Sequence, residues 1–152
     1  MSVGRLLSIL AAALLPVSVL VPPAQARAAV PFRVTLGGCP GAITEGTLEW
    51  AGEEVVKVEG NAAQYTPIPS CTRQSGFHSV AFRAYNGGTQ TAQQSFYVPP
   101  DRPGLSLELT APQGTPIDAV TVQICEFRIG PPGSMPPLSI LCLAPVRYQA
   151  PA

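Results

Sequence analysis

Ser79–Val98, reading SVAFRAYNGGTQTAQQSFYV, is the stretch that most narrows the folds open to this chain. Two runs of alternating apolar and polar residues meet at Asn86-Gly87-Gly88. Those residue types suit the tight turn of a β-hairpin because they tolerate positive φ. Side chains alternate between faces along a strand, so a one-residue slip exchanges the faces completely. A two-residue turn would set Val80 and Phe82 against Gln93 and Thr91, apolar against polar. A three-residue loop, Asn86 to Gly88 with Gly88 left-handed, pairs Phe82 with Ala92 instead. It gathers Val80, Phe82, Ala84, Ala92, Phe96 and Val98 on an inward face, and this register is the one expected. Ala81, Arg83, Tyr85, Thr89, Thr91, Gln93, Ser95 and Tyr97 then point outward.

The same period-two pattern recurs, and Pro or Gly interrupts nearly every longer run, so no window past Ala28 reads as helix. Expected strands are Phe32–Leu36, Thr47–Trp50, Glu54–Glu59, Ser79–Tyr85, Thr89–Val98, Leu105–Thr110, Ala119–Arg128 and Ser139–Leu143. Several short strands with turn signals at this spacing predict an all-β fold, a disulfide-stapled β-sandwich or a closed, barrel-like sheet. Residues 29–152 are expected to form one domain, with a candidate subdivision at the stiff connection 99–104. Gly76–Val98 resembles the closing hairpin of bacterial Ig-like modules, which implies an Ig-like sandwich around residues 79–98. The antibody-type pattern is not met, since Cys71 follows Trp50 too closely and Pro69 stands where a corner tyrosine belongs.

Residues 1–28 read as a cleaved signal peptide. Arg5 precedes the apolar run Leu6–Leu15, and Ala24-Gln25-Ala26 or Ala26-Arg27-Ala28 offers the small residues a signal peptidase requires. The run is broken by Pro16 and falls short of the roughly 20 residues that span a bilayer. A secreted, extracellular chain without a membrane anchor is therefore expected, and heavy use of Ala, Pro and Gly points to a bacterial source. Four cysteines, Cys39, Cys71, Cys125 and Cys142, all fall after the cleavage sites. An even count in a small exported chain implies disulfides, with Cys39–Cys71 and Cys125–Cys142 the preferred pairing because each staples neighbouring segments. No two cysteines are nearer than 17 positions and His78 is the sole histidine, so no metal site is expected, nor any cofactor.

Charged residues make up only 12% of the chain and formal charge is zero, with no cluster of Lys or Arg. Nucleic-acid binding, which needs many phosphate contacts, is thereby disfavoured. Catalysis finds little support either: no G-x-S-x-G elbow occurs, His78 reads as a surface or edge residue, and Glu49, Glu53 and Glu54 read as a solvated turn. A small secreted hydrolase built on His78 or Glu53-Glu54 is the weakest alternative. The principal expectation is a non-enzymatic binding or cell-envelope module, with Arg83, Tyr85 and Tyr97 as contact residues for an unspecified protein or cell-surface polymer. The other alternative rests on Cys71-Thr72-Arg73-Gln74, which resembles the reactive loop of standard-mechanism serine-protease inhibitors. In that reading Thr72, Arg73 and Gln74 form the reactive site, and Arg73 enters the primary pocket of a trypsin-like enzyme.

Overall fold

The computed structural model describes residues 28–66, 76–100, 104–130, 133 and 138–152. The strands are β1 (Val30–Leu36), β2 (Gly41–Trp50), β3 (Val55–Tyr65), β4 (Gly76–Asn86), β5 (Thr89–Val98), β6 (Gly104–Thr110), β7 (Ala119–Ile129), β8 (Leu138–Cys142) and β9 (Val146–Gln149). They form two antiparallel sheets packed together, so the chain is all-β among its described residues. The first sheet has the order β1-β2-β3-β6. The second runs β5-β4-β7, and β8 and β9 share the far edge of β7, one after the other. The strands that follow the Pro-rich connection thus complete both sheets.

Alternation places the core. Phe32, Val34, Leu36, Leu48, Trp50, Val56, Val58 and Leu109 face inward from the first sheet, and Val80, Phe82, Ala84, Val98, Val120, Val122 and Ile124 from the second. Each of the Val, Leu, Ile and Phe side chains among them contributes about 1.5–3 kcal/mol on burial. Phe82 meets Phe32 edge-on at 5.5 Å and stacks on Phe96 at 6.2 Å, joining the sheets across the middle. Phe32 pairs in register with Gly46, which pairs with Gly60. A Cβ on Gly46 would lie 2.0 Å from the Glu59 carbonyl oxygen, and one on Gly60 would lie 2.2 Å from that of Glu45. The two backbones approach closely there, and only glycine fits both positions.

At one end of the sandwich, the buried Trp50 indole donates to the Ile117 carbonyl at 2.9 Å. The Ile117 and Ala111 amides in turn bond the carbonyls of Glu53 and Glu54. The Glu54 carboxylate also accepts from the Gly114 amide. Glu53 and Glu54 thus tie the β2–β3 turn to the segment entering β7.

The expected hairpin is present with one correction. Gly87 and Gly88, both at positive φ, form a two-residue turn closed by Asn86 and Thr89. The register then shifts between Ala84 and Tyr85, leaving Thr91 as the extra residue of a β-bulge. Phe82 consequently pairs with Gln94, not Ala92. A two-residue turn plus one bulged residue keeps the same parity, so the expected inward set is unchanged. Val80, Phe82, Ala84 and Val98 are buried, and Ala92 and Phe96 pack partly buried against the core. Ala81 stands on the outer face as expected, yet it is buried between taller neighbours. Expected boundaries of β2 and β3 were too short, because Gly41, Gly46 and Gly60 interrupt the apolar pattern without ending the strands. β9, four residues lying between prolines, was not foreseen.

Cys125 and Cys142 are register partners joined by a disulfide, as expected. Cys39 is also disulfide-bonded; Cys71, its expected partner, lies outside the described residues. So do residues 1–27 of the expected signal peptide.

Candidate functional site

The outer face of the second sheet collects side chains that solvent exposure alone does not explain. Odd-numbered residues of β4, β5 and β7 point there, which puts Phe77 beside Phe127 and brings Tyr97 next to Phe77. Phe77 stacks on Phe127 at 4.7 Å, and Tyr97 meets Phe77 edge-on at 5.0 Å. Tyr97 is 70% exposed, and Ile140, opposite Phe127 on β8, is 58% exposed. A depression of about 370 Å³ opens among Phe77, Ser79, Ser95, Tyr97 and Phe127. The Cys125–Cys142 disulfide joins the next row, in line with Ser79 and Tyr97, and pins β8 to β7 beside the patch.

Further along the same face lies a polar row that runs Gln93, Arg83, Thr121, Arg147 across β5, β4, β7 and β9. The Arg83 guanidinium donates from Nη1 to Gln123 Oε1 at 2.8 Å and from Nε to Gln93 Oε1 at 3.3 Å. Arg147 lies over the Tyr85 ring, 5.2 Å from its centroid, and reaches Asp118 Oδ1 at 3.4 Å. Asp118 also accepts from the Gly87 amide at 2.6 Å, which ties the hairpin turn to this row.

Of the expected contact residues, then, Arg83 and Tyr85 adjoin one another at the polar end, while Tyr97 stands at the aromatic end. Tyr97 pairs with Ser79, six residues along β4 from Tyr85, a separation of about 20 Å at the usual strand rise. The three do not form one cluster. Phe77, Phe127, Thr121 and Arg147 were missed. Phe77 and Phe127 were legible as continuations of the odd-numbered alternation, had β4 been started at Gly76. Arg147 was not, because nothing local marks Val146–Gln149 as the partner of Ala119–Val122.

His78 requires a correction. It was expected at the surface or a sheet edge, but it faces inward and is 2% exposed. Alternation explains this: β4 begins three residues before the expected start, so even-numbered His78 joins Val80 and Phe82 on the core side. Neither ring nitrogen has a hydrogen-bond partner. Its register partner on β7, Glu126, is also buried and forms a two-pronged ion pair with Arg128, both contacts 2.8 Å. Burial pushes the His78 pKa down, the Glu126 carboxylate opposes that, and Arg128 adds to it. Glu53 and Glu54 lie at the opposite end of the sandwich, so the structure does not bring the histidine and those carboxylates together.

Thr72, Arg73 and Gln74, the expected inhibitor reactive site, lie outside the described residues. Among the described residues no three His, Cys, Asp or Glu side chains group as metal ligands would. Compared with known proteins, the chain matches no family model, no curated sequence and no solved structure.

Proposed function

We propose that this chain is an exported, non-enzymatic binding module, carried by a bacterial cell envelope or released from it, that contacts its partner through the outer face of the second sheet. The observation that carries the reading is an aromatic cluster in which the 70% exposed Tyr97 meets Phe77, itself stacked on Phe127, both rings half-buried. Monomeric soluble domains keep large aromatic side chains covered, and exposed ones rimmed by polar residues mark interaction surfaces. Rigid rings supply contact area with little side-chain entropy to lose, and the disulfide in the neighbouring row limits what the backbone loses on binding. Export is supported by the apolar leader at residues 1–28 and by a disulfide, which persists in oxidising compartments. The hairpin's likeness to bacterial Ig-like modules fits the same reading.

Sedimentation of the purified mature protein with isolated cell envelopes tests it. Retention of the wild type, and loss of retention in Tyr97→Ala with an unchanged unfolding midpoint, is the expected result. Equal retention of wild type, Tyr97→Ala and Phe127→Ala would remove this face as the contact surface.

A further inference from the structure

The polar end of the same face has the makings of an anion site. Arg83 and Arg147 flank Thr121 in register, one strand away on each side, so their Cα atoms are about 10 Å apart across two strand spacings. Thr121 is 5% exposed, and its hydroxyl is buried without a partner. An unsatisfied buried hydroxyl is rare and calls for a cause. Its odd position on β7 puts Thr121 on the outer face, between the strands that carry Arg83 and Arg147.

Both guanidiniums are held in place, and the charge of Arg83 is left uncancelled. Arg83 is fixed by two glutamine side-chain oxygens, and no carboxylate pairs with it among the described residues. Arg147 is fixed by the Tyr85 ring, by Asp118 and by Gln149, whose Oε1 accepts from Arg147 Nε at 3.1 Å when the amide is oriented to satisfy both of its neighbours. Asp118 shares its charge with the hairpin-turn amide. The cluster of two arginines and one aspartate therefore carries one net positive charge. Arg83 keeps Nη2, and Arg147 keeps Nη1, for a further acceptor.

The geometry points to a carboxylate-binding site on the outer face of the second sheet, formed by Arg83, Thr121 and Arg147. The planar guanidinium fork suits a carboxylate, with the threonine hydroxyl as a third donor. A singly charged group matches the single net charge of the cluster, whereas a phosphate dianion would leave an excess. Prior fixation of both arginines reduces the ordering lost on binding. This inference rests on the binding-module reading and names a chemical feature of its partner, an acidic group set about 13 Å from Tyr97 and about 20 Å from Phe77 at the usual strand rise.

The test is a titration of the full mature chain at pH 7 and constant ionic strength, followed by amide and arginine Nε resonances. The probes are sodium acetate and D-glucuronate, with D-glucose and inorganic phosphate for comparison. Acetate and glucuronate are expected to shift Arg83, Thr121 and Arg147 saturably, and glucose to leave them in place. Arg83→Gln and Arg147→Gln should each weaken glucuronate binding at least tenfold while the Val80 and Phe82 resonances stay put. Arg83→Lys, which keeps the charge and loses the fork, should fall between. Unmoved resonances with glucuronate, phosphate binding tighter than acetate, or unchanged affinity in both glutamine variants would each overturn the site. Tyr97→Ala should leave glucuronate affinity intact. Loss of envelope retention alone would strike the module reading, and loss of carboxylate binding alone would strike only this site.

Discussion

The two sheets share one core but present opposite exteriors. On the outer face of the first sheet, charges meet their opposites across strands. Arg33 lies 3.6 Å from Glu45, and Lys57 stands in register between Glu49 and Glu108. Glu59 accepts from the Ser106 hydroxyl at 2.9 Å. Exposed pairs of this kind contribute little stability, but they leave a surface whose charges are already answered. The outer face of the second sheet has three ringed side chains in contact, a disulfide, and an arginine held by amides rather than acids. One face answers its own charges, and the other leaves Arg83 without an acid.

Changes in the shared core should erase both faces together. Phe82→Ala removes the ring that joins Phe32 to Phe96 and is expected to cost about 3–5 kcal/mol in denaturant unfolding. Breaking the Cys125–Cys142 staple with Cys142→Ser should cost about 3 kcal/mol for a loop of this length. Its effect on the aromatic face should exceed its effect on the first sheet, which hydrogen exchange resolves strand by strand. Gly60→Ala acts on the other sheet: its Cβ meets backbone, and a loss of about 1–3 kcal/mol is expected with β2 and β3 exchange accelerated first. An outcome in which either change loosened both sheets equally would break the comparison.

His78 gives a gentler effect, one that depends on pH. Its folded pKa lies below the ordinary histidine value, so the unfolded chain binds the proton more readily. Stability should hold above the ordinary value and decline as pH falls from there through the lowered folded value. His78→Leu should flatten that decline in unfolding midpoints taken across the range. A decline of the same slope in the variant would assign it to other groups. Smallest of all should be the stability effects on the exteriors: Tyr97→Ala and Arg33→Ala are each expected to lie within about 0.5 kcal/mol of wild type. Only the first should lose envelope retention, and that contrast sharpens the difference between the faces.

How far the chain could be read before folding varies by region. The hairpin shows the limit well. Its face assignment followed from Val80, Phe82, Phe96 and Val98 alone, yet its turn and its pairs did not, since a bulge at Thr91 preserves parity while moving the register by two. Tyr97 was recognisable as an exposed aromatic, whereas the Phe77–Phe127 stack beside it required the β4–β7 pairing. His78 was misplaced because the expected strand starts at Ser79; carried back to Gly76, the alternation that turns Val80 and Phe82 inward turns His78 inward with them.

Period-two alternation, glycine turns and cysteine spacing determined the all-β class, the inward set of the hairpin and the Cys125–Cys142 bond, because each depends on residues near in sequence. The tertiary structure alone decided that β6 would pair with β3, that β7 would run beside β4, and that β9 would bring Arg147 across Thr121 from Arg83. Those pairings join residues from 24 to 55 positions apart, selected by how two apolar faces fit against each other, and no local pattern encodes that fit.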